Sequence, residues 1–496
     1  MELDDDTCYR ALRARDSRFD GRFFVGVRTT GIYCRPICRV KLPLARNCRF
    51  YPSAAAAERE GYRPCLRCRP ELAPGRSSVE AGARLAQAAA ALLDAGAFDS
   101  GNEVALANEL GVSARHLRRV FDAEFGVAPV AYAQTRRLLL AKQLLTDTPL
   151  PVTEVAYASG FSSLRRFNAA FRERYRLTPT ALRRESATRR PAMLRFRLAY
   201  RPPYDWAAMQ SFLAARVVAG VESVRGGVYR RSLRAGTGPN AAKGWIELRA
   251  LPRLDVLELR VSASLARWVP QILNRARHAF DTQCDPAQVA EVLGELAQAS
   301  PGLRLPGSFD GFEVAVRAVL GQQVSVAAAH TLASRFAARF GEPLCDTLAA
   351  RHGVGILFPT PAAIADLDPA CIGELGVIRT RSRTIVALAR ALVDGELRLA
   401  PDADVAETVG ALHAIRGIGD WTAQYVAMRA LGWPDAFPAA DLVVLKALGV
   451  SKAGEASRLA AAWRPWRAYA VIHLWRRWSM SNGAASPSPH EEESQA

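Results

Sequence analysis

The sequence predicts a multidomain, mainly α chain with small mixed α/β parts. Three observations carry that expectation. The chain has 496 residues, 50% of them apolar, enough for three or four separate cores. After Ser78, and again from Gly302 onward, it is rich in Ala and Leu at helical spacing. Alternating stretches that suit strands are few and short: Arg195 to Leu198, Val228 to Leu233 and Leu254 to Val261. The breaks in this pattern divide the chain into 1–75, 76–190, 191–303 and 304–482. After Ser479 a tail turns Ser/Pro-rich and then acidic, and 483–496 is expected to be disordered.

Formal net charge is +18, which favours a polyanionic partner, nucleic acid before membrane surface. A soluble protein from an Arg-rich, Ala-rich proteome would carry similar charge, so the charge leaves both readings open. Met1 to Arg10 is acidic without an apolar core, and no apolar run is long enough to span a bilayer. A cytoplasmic protein with no membrane partner, taken as a monomer, is the expectation.

The first segment holds two close cysteine pairs, Cys34-Arg-Pro-Ile-Cys38 and Cys65-Leu-Arg-Cys68. In a reducing cytoplasm such pairs point to metal before disulfides. Two turns, each presenting two thiolates, close a tetrahedron around one Zn²⁺. Such a site contributes about 10–16 kcal/mol to folding in small zinc peptides. A purely structural zinc knuckle has the same spacing. Cys8 and Cys48 are read as spectators.

The second segment, after the loop Pro74 to Ser78, carries one design twice. Val104 to Ser113 is a helix and a turn, followed by Arg115-His-Leu-Arg-Arg-Val-Phe121; Val152 to Ser162 is followed by Leu164-Arg-Arg-Phe-Asn168. Ser113 caps the second helix of the first pair. Ala131 to Leu145 reads as the helix between them, and Arg183 to Arg190 as a hinge.

In the third segment Trp268 to Phe280 reads as a helix beside the strands. The last segment is organised around Leu412-His-Ala-Ile-Arg-Gly-Ile-Gly-Asp-Trp-Thr-Ala-Gln-Tyr425. Two helices join there at a tight turn. Gly417 stands where the turn needs positive φ, Gly419 lets a backbone approach, and Asp420 is the expected N-cap. Such a turn aims free amides outward and seats a phosphate. Trp421 and Tyr425 share a helix face, and Asp441 follows Phe437-Pro438. The residues also fit a plain turn between core helices, with Asp441 as a cap. Upstream, Val319-Leu-Gly-Gln-Gln-Val-Ser-Val326 interrupts a helical stretch; Trp475 lies near the end, with Trp463 and Trp466 read as core.

These motifs carry two family resemblances that together cover nearly the whole chain. Val27-Arg-Thr-Thr-Gly-Ile-Tyr-Cys-Arg-Pro-Ile-Cys38 and Gly61-Tyr-Arg-Pro-Cys-Leu-Arg-Cys68 resemble the zinc domain of Ada-type alkylation-response regulators. The tandem helical pairs, ending Phe121 to Pro129 and Phe171 to Pro179, resemble the AraC-type double helix-turn-helix. The hairpin, aromatic face and Asp441 resemble helix-hairpin-helix DNA glycosylases of the AlkA type, DNA-3-methyladenine glycosylase II. The implied architecture is a small zinc-bound α/β module, an AraC-type double helix-turn-helix, an α+β AlkA N-terminal subdomain and an all-α helix-hairpin-helix glycosylase domain.

The resemblance implies roles. Cys34 is both zinc ligand and acceptor of a methyl group from a DNA methyl phosphotriester; Cys38, Cys65 and Cys68 complete the metal site. A zinc-bound cysteine is deprotonated, whereas a free thiol at pKa ~8.5 mostly is not. Methylating one of four thiolates takes the site from −2 to −1 and weakens its repulsion of DNA. The thioether is stable, so the transfer is stoichiometric. Arg115, His116, Arg118 and Arg119, with Ser163, Arg165 and Arg166, are the candidate DNA contacts of the recognition helices, several of them to phosphate.

Asp441 is the implied catalytic residue, stabilising an oxocarbenium ion and aligning water. Trp421, Tyr425 and Trp475 line the base pocket, and Gln322 reaches the flipped base. An alkylated purine is cationic, attracted to such rings by roughly 0.5–2 kcal/mol each. Gln323 stands where relatives insert an apolar wedge, so it fills the gap with an amide; Gln322 and Gln323 also fit an ordinary surface pair. Gly417 and Gly419 grip the DNA backbone, and the resemblance allows a monovalent cation on the turn carbonyls. Trp421 occupies the position of the Schiff-base lysine of bifunctional relatives, so a monofunctional hydrolase is expected. No cysteine follows Cys371, so no iron–sulfur cluster is expected, and no Pro-Cys-His-Arg motif of an O6-methylguanine methyltransferase is present. The expected function is alkylation-damage response: base-excision repair of alkylated purines in double-stranded DNA, with methylation-activated transcription at promoters through RNA polymerase. A rival reading keeps only the sensor–regulator, with the glycosylase half as a DNA platform. Another keeps only the enzyme, with the zinc half as an anchor.

Overall fold

The computed structural model describes residues 4–74, 84–94, 103–148, 150–183, 192–236 and 241–481. The loop after Pro74, the hinge residues 184–190 and the tail 483–496 lie outside the described residues. The chain forms two compact units that do not follow sequence order. One comprises Met1–Pro202, Val228–Asp285 and Leu344–Gly355; the other Pro203–Gly227, Pro286–Pro343 and Ile356–Ala496.

The first unit begins with helix Asp5–Ala14, capped by Asp4, which accepts from the Thr7 amide at 2.6 Å. Strands Cys48–Tyr51, Phe24–Val27 and Ile32–Cys34 lie side by side, with Arg63–Pro64 parallel to the last. Val25 stands opposite Cys34 in this ladder, so the two side chains share a face. Cys8 and Cys48 pack in the apolar core with Leu12, Phe23, Val25 and Val27.

Next come helices Glu103–Glu109 and Ala114–Phe125, then Pro129–Asp147, then Val152–Ala158 and Leu164–Tyr175. Ser113 and Ser163 cap the second helix of each pair, accepting from His116 N and Arg166 N at 3.2 Å. Leu117, Phe121 and Phe125 in one pair, and Phe167, Phe171 and Tyr175 in the other, are buried at four-residue spacing. The duplicated pattern thus folds as two copies of one packing. The same unit holds the antiparallel strands Met193–Ala199, Val256–Ser262, Ala242–Leu251 and Val228–Ala235, adjacent in that order. Leu254, read as strand, sits in a 3₁₀ turn Pro252–Leu254, because Pro252 at its start cannot extend the ladder.

The zinc-module residues pack on the helical ones through buried charge. Lys142 donates to Glu71 at 2.6 Å with both side chains 2% exposed. Arg69 makes a bidentate pair with Asp147 at 2.8 Å. Glu58 accepts from Tyr33 Oη and Thr135 Oγ1, both at 2.9 Å, and faces Arg174 at 3.4 Å.

The second unit is helical. Gly311–Leu320, Val326–Phe340, Arg379–Val393, Val405–Ala414 and Asp420–Val426 enclose a core that includes Val316, Val319, Phe336, Ile385, Leu388, Leu412 and Ala423. Asp420–Val426 runs into a π-helical turn, Ala427–Leu431. Leu442–Leu448 and Arg467–Ser481 complete the part that matters for function. The last helix runs past Ser479, where the sequence reading starts the tail.

Burial pushes the Glu58 carboxyl up to about 7, against the opposing pull of Arg174 and its hydrogen bonds. As pH rises past the ordinary glutamate range the unfolded chain ionises first, so stability is lost between about pH 4.5 and 7. Glu58→Gln removes that loss. Relative to wild type it should gain about 3 kcal/mol between pH 4.5 and 8. Denaturant unfolding of both proteins across this range checks it; an offset that does not change with pH would contradict it.

Candidate functional site

Two groups of side chains in separate units have the geometry of reactive sites. In the first unit the sulfurs of Cys34, Cys38, Cys65 and Cys68 all lie within 4.8 Å of one another. A zinc tetrahedron with 2.3 Å bonds has S···S edges of about 3.8 Å, so the cluster fits one Zn²⁺. Cys34 ends strand Ile32–Cys34, and Cys65 follows strand Arg63–Pro64 beside it. Arg35 fastens the two loops. Its amide donates to Cys68 Sγ at 3.4 Å, its Nη1 to Cys68 O at 3.1 Å, and its other nitrogens to buried Asp20. Zinc supplied there keeps the thiolates deprotonated.

Arg115, His116, Arg119, Arg165 and Arg166 are exposed on the two capped helices, with Ser163 half-buried at a cap. Arg118 is exposed too, and it also pairs with Glu103 at 2.8 Å, tying the second helix to the first. The Arg119 guanidinium stands 3.2 Å from His116 Nδ1.

In the second unit Asp441 is the N-cap of Leu442–Leu448, accepting from the Val443 and Val444 amides at 3.0 Å. The same Oδ1 accepts from Trp475 Nε1 at 3.0 Å, and Oδ2 accepts from Trp421 Nε1 at 2.9 Å. The carboxylate is 9% exposed. Trp421 stacks on Tyr425 with ring centres 5.4 Å apart and an interplanar angle of 16°. Tyr425 meets Trp475 at 6.3 Å. Asp441 is therefore the cap that the sequence also offered, and its carboxylate lies among these rings. Trp466 is core, at 3% exposed, whereas Trp463 is only half-buried.

Three residues that the sequence reading missed complete this group. Phe212 stacks on Trp475 at 6.3 Å and 14°. The Arg216 guanidinium lies 3.9 Å over Phe212. Arg429, presented by the π turn, donates to Tyr425 Oη at 2.8 Å and to the carbonyls of Pro306 and Gly307. Burial alone would raise the Tyr425 phenol; the guanidiniums of Arg429, Arg216 and Arg317 outweigh it and lower its pKa. Burial brings Arg216 down to about 10. Glu313 and Glu222 face Arg317 at 2.9 and 3.2 Å. Only the Phe212/Arg216 spacing hinted at this, and it is a weak signal in any helix.

The hairpin differs from its sequence reading in two places. Gly419, not Asp420, is the N-cap, and no side chain caps that helix; Asp420 begins it, 61% exposed and 3.7 Å from His413. Asp420 thereby places a negative charge in the first turn, where the helix dipole favours it. A Cβ on Gly419 would meet nothing within 4 Å, so no neighbouring backbone of the chain requires glycine there. Gly417 has φ +97°, and a Cβ on it would stand 2.2 Å from Thr384 Oγ1.

Gln322 donates to Gly417 O at 2.9 Å and Thr422 Oγ1 at 3.0 Å, so its amide nitrogen binds the hairpin instead of reaching for a base. Gln323 is exposed in the loop between Gly311–Leu320 and Val326–Phe340, with φ +54°. A non-glycine residue held there marks a constrained loop tip.

Four family models match the chain in order: the metal binding domain of Ada over residues 7–71, a helix-turn-helix domain over 106–185, the AlkA N-terminal domain over 195–310, and the HhH-GPD superfamily of base excision DNA repair proteins over 316–461. A Mycobacterium tuberculosis H37Rv protein named "Probable bifunctional transcriptional activator/DNA repair enzyme AlkA" is 41% identical over 492 residues, 96% of this chain and 97% of its own length. DNA-3-methyladenine glycosylase 2 of Escherichia coli K12 is 38% identical over 282 residues, 56% of this chain and 96% of that protein. Among solved structures, the 3-methyladenine DNA glycosylase of Archaeoglobus fulgidus matches with a TM-score of 0.50 at 22% identity, covering 58% of this chain and 99% of its own, which bears on the fold alone.

The hairpin geometry separates two glycine substitutions. Gly417→Ala should cost about 2 kcal/mol or more, from the clash with Thr384 and the left-handed backbone. Gly419→Ala should stay within about 1 kcal/mol of wild type yet weaken duplex binding, because its Cβ projects into the open space before the hairpin. Thermal unfolding and fluorescence anisotropy on a duplex oligonucleotide test the pair; equal effects of both on stability would contradict it.

Proposed function

The chain belongs to the family of bifunctional transcriptional activator/DNA repair enzymes that join an Ada-type metal-binding domain and helix-turn-helix to an AlkA-type glycosylase, and from that premise we propose how its two sites divide the work. It is a DNA glycosylase and transcriptional activator that acts on double-stranded DNA. Its four cysteines hold one Zn²⁺.

In the glycosylase half the flipped, cationic purine stacks against the aromatic group of Trp421, Tyr425 and Trp475, with Phe212 behind the last. The base leaves neutral, so no strong general acid is needed. Positive charge left on the sugar is stabilised by Asp441, which also aligns the attacking water. The observation that carries this reading is the carboxylate itself: both its oxygens are held by indole N–H groups of the two tryptophans that form the walls. Trp421 leaves no lysine for a Schiff base, so the strand stays intact. The hairpin at Gly417 and Gly419 grips the backbone and Gln323 fills the vacated stack. Gln322 is a positioning residue that ties the Gln323 loop to the hairpin. A monovalent cation sits on the turn carbonyls, where Arg416 O and Gly417 O each accept one hydrogen bond, from Thr384 and Gln322, and keep a second lone pair.

In the sensor half Cys34 accepts the methyl group of a methyl phosphotriester. The sulfur–carbon bond forms as the carbon–oxygen bond breaks, and the electron pair stays on the phosphodiester. The loss of one thiolate charge raises affinity for DNA, and the exposed arginines of the recognition helices then engage a promoter. The protein works as a cytoplasmic monomer and recruits RNA polymerase.

Two variants separate the halves. Wild type should release free methylpurine from methylated duplex with strands intact until alkali, and Asp441→Asn should lose about 10²-fold or more in rate. Unchanged release by folded Asp441→Asn would remove Asp441 from the chemistry. Cys34→Ala should keep base release and lose the rise in promoter affinity after exposure to methyl phosphotriester DNA. A rise that persists in Cys34→Ala would place the acceptor elsewhere.

A further inference from the structure

A small cavity opens beside the four-cysteine cluster, about 40 Å³ in volume. Cys34 and Cys38 line it; Cys65 and Cys68 do not. It is therefore not the space at the centre of the four sulfurs, which all four would line. Its apolar walls are Leu12, Val25, Val27 and Val40, with Leu42 and Pro43. Val25 is the cross-strand partner of Cys34 and Val27 lies two residues on, so both side chains share the face that carries the Cys34 sulfur. Exposed Arg13 and Arg15 also line the cavity, at the end of helix Asp5–Ala14, and neither makes an ion pair among the described residues.

We propose that this cavity is the methyl-ester subsite of the sensor: the ester methyl enters beside Cys34 Sγ, and Arg13 and Arg15 hold the phosphate at its mouth. The inference rests on Cys34 being the methyl acceptor. Displacement at carbon requires sulfur, methyl carbon and departing oxygen in line. A methyl placed in the cavity therefore has its phosphate outside. Departure leaves a new negative charge on the phosphodiester, where the two guanidiniums can pair with it. A water needs about 10–15 Å³, so 40 Å³ admits a group of two or three heavy atoms, which holds CH₃–O with room to spare and is filled to its limit by the three of an ethyl ester. The cavity also selects among the ligands, since two of the four sulfurs have no access to it. Size selection among alkyl esters thus falls to Leu12, Val25, Val27 and Val40.

The test uses the full chain loaded with zinc and a duplex carrying one phosphotriester, with either a ¹³C-methyl or an ethyl ester. Enlarging the wall with Val40→Ala, a half-buried position, should raise the ethyl-to-methyl rate ratio at least tenfold over wild type. The ratio cancels the intrinsic sluggishness of ethyl transfer. In methylated wild type the S-¹³CH₃ group should show nuclear Overhauser contacts to methyls of Val25, Val27 and Leu12. Cobalt substitution reports whether the tetrathiolate site persists in the variant. Methylation of Cys34 with no such contacts and an unchanged ratio would overturn the subsite. Absence of any methyl on Cys34 in wild type would overturn the acceptor reading on which it rests.

Discussion

The site proposed for the glycosylase depends on how one buried carboxylate is held. Asp441 accepts four N–H groups, two from the backbone it caps and two from indoles. A carboxylate taken out of water costs several kcal/mol unless such donors replace the lost hydration. The cap fixes Oδ1, and Trp475 adds a third donor to it. Among the described residues Oδ2 accepts from Trp421 only, and it keeps acceptor capacity for a sugar or water. The indoles that hold the charge are also the walls of the aromatic group. Removing either ring would take one of the four donors from the carboxylate as well as open the wall, so charge placement and shape are coupled in this site.

That arrangement sets a tension with the arginines behind it. A cationic base is drawn to ring faces, yet Arg216, Arg429 and Arg317 all act on Tyr425. Two features limit the repulsion. Glu313 and Glu222 neutralise Arg317, and carbonyls of Pro306 and Gly307 hold Arg429. Phe212 takes the Arg216 guanidinium over its ring and stacks on Trp475. The guanidiniums thus gather at Tyr425 and Phe212, while the negative charge of Asp441 bonds the edges of Trp421 and Trp475.

Much of this was legible because its causes are local. Short cysteine spacings bring thiolates to one turn, a Trp and a Tyr four apart share a helix face, and Gly417 answers a left-handed backbone. Ser113 is a cap that the helix start requires. What was not legible depends on partners distant in sequence. Phe212 meets Trp475 from the far side of the fold, and nothing near it announces a pocket. Gln322 reads as a residue aimed at a ligand until Gly417 and Thr422 prove to be its partners. Asp420 looks like a cap by residue type, but the helix begins one residue earlier on Gly419. Arg118 is read as a DNA contact, and its pairing with Glu103 is invisible in the sequence. In each case the partner is supplied by packing and not by sequence neighbours.

The junction inside the first unit bears on how a methyl group could change DNA binding. Tyr33, the residue before Cys34, donates to Glu58, which also accepts from Thr135 on the helix joining the two helix-turn-helix pairs and faces Arg174 on the last of them. Lys142 and Glu71 pair nearby with almost no exposure. Opening such a junction would strand buried charges, at about 3–5 kcal/mol for a broken buried pair. One thiolate charge cannot readily supply that difference across a screened, solvated surface, where a unit charge acts with about 1 kcal/mol at 4 Å. A hinge driven by methylation is therefore disfavoured at this junction. Charge itself is the cheaper signal: the zinc module and the helix-turn-helix pairs stay docked, and losing one negative charge changes the field that the docked pair presents to DNA.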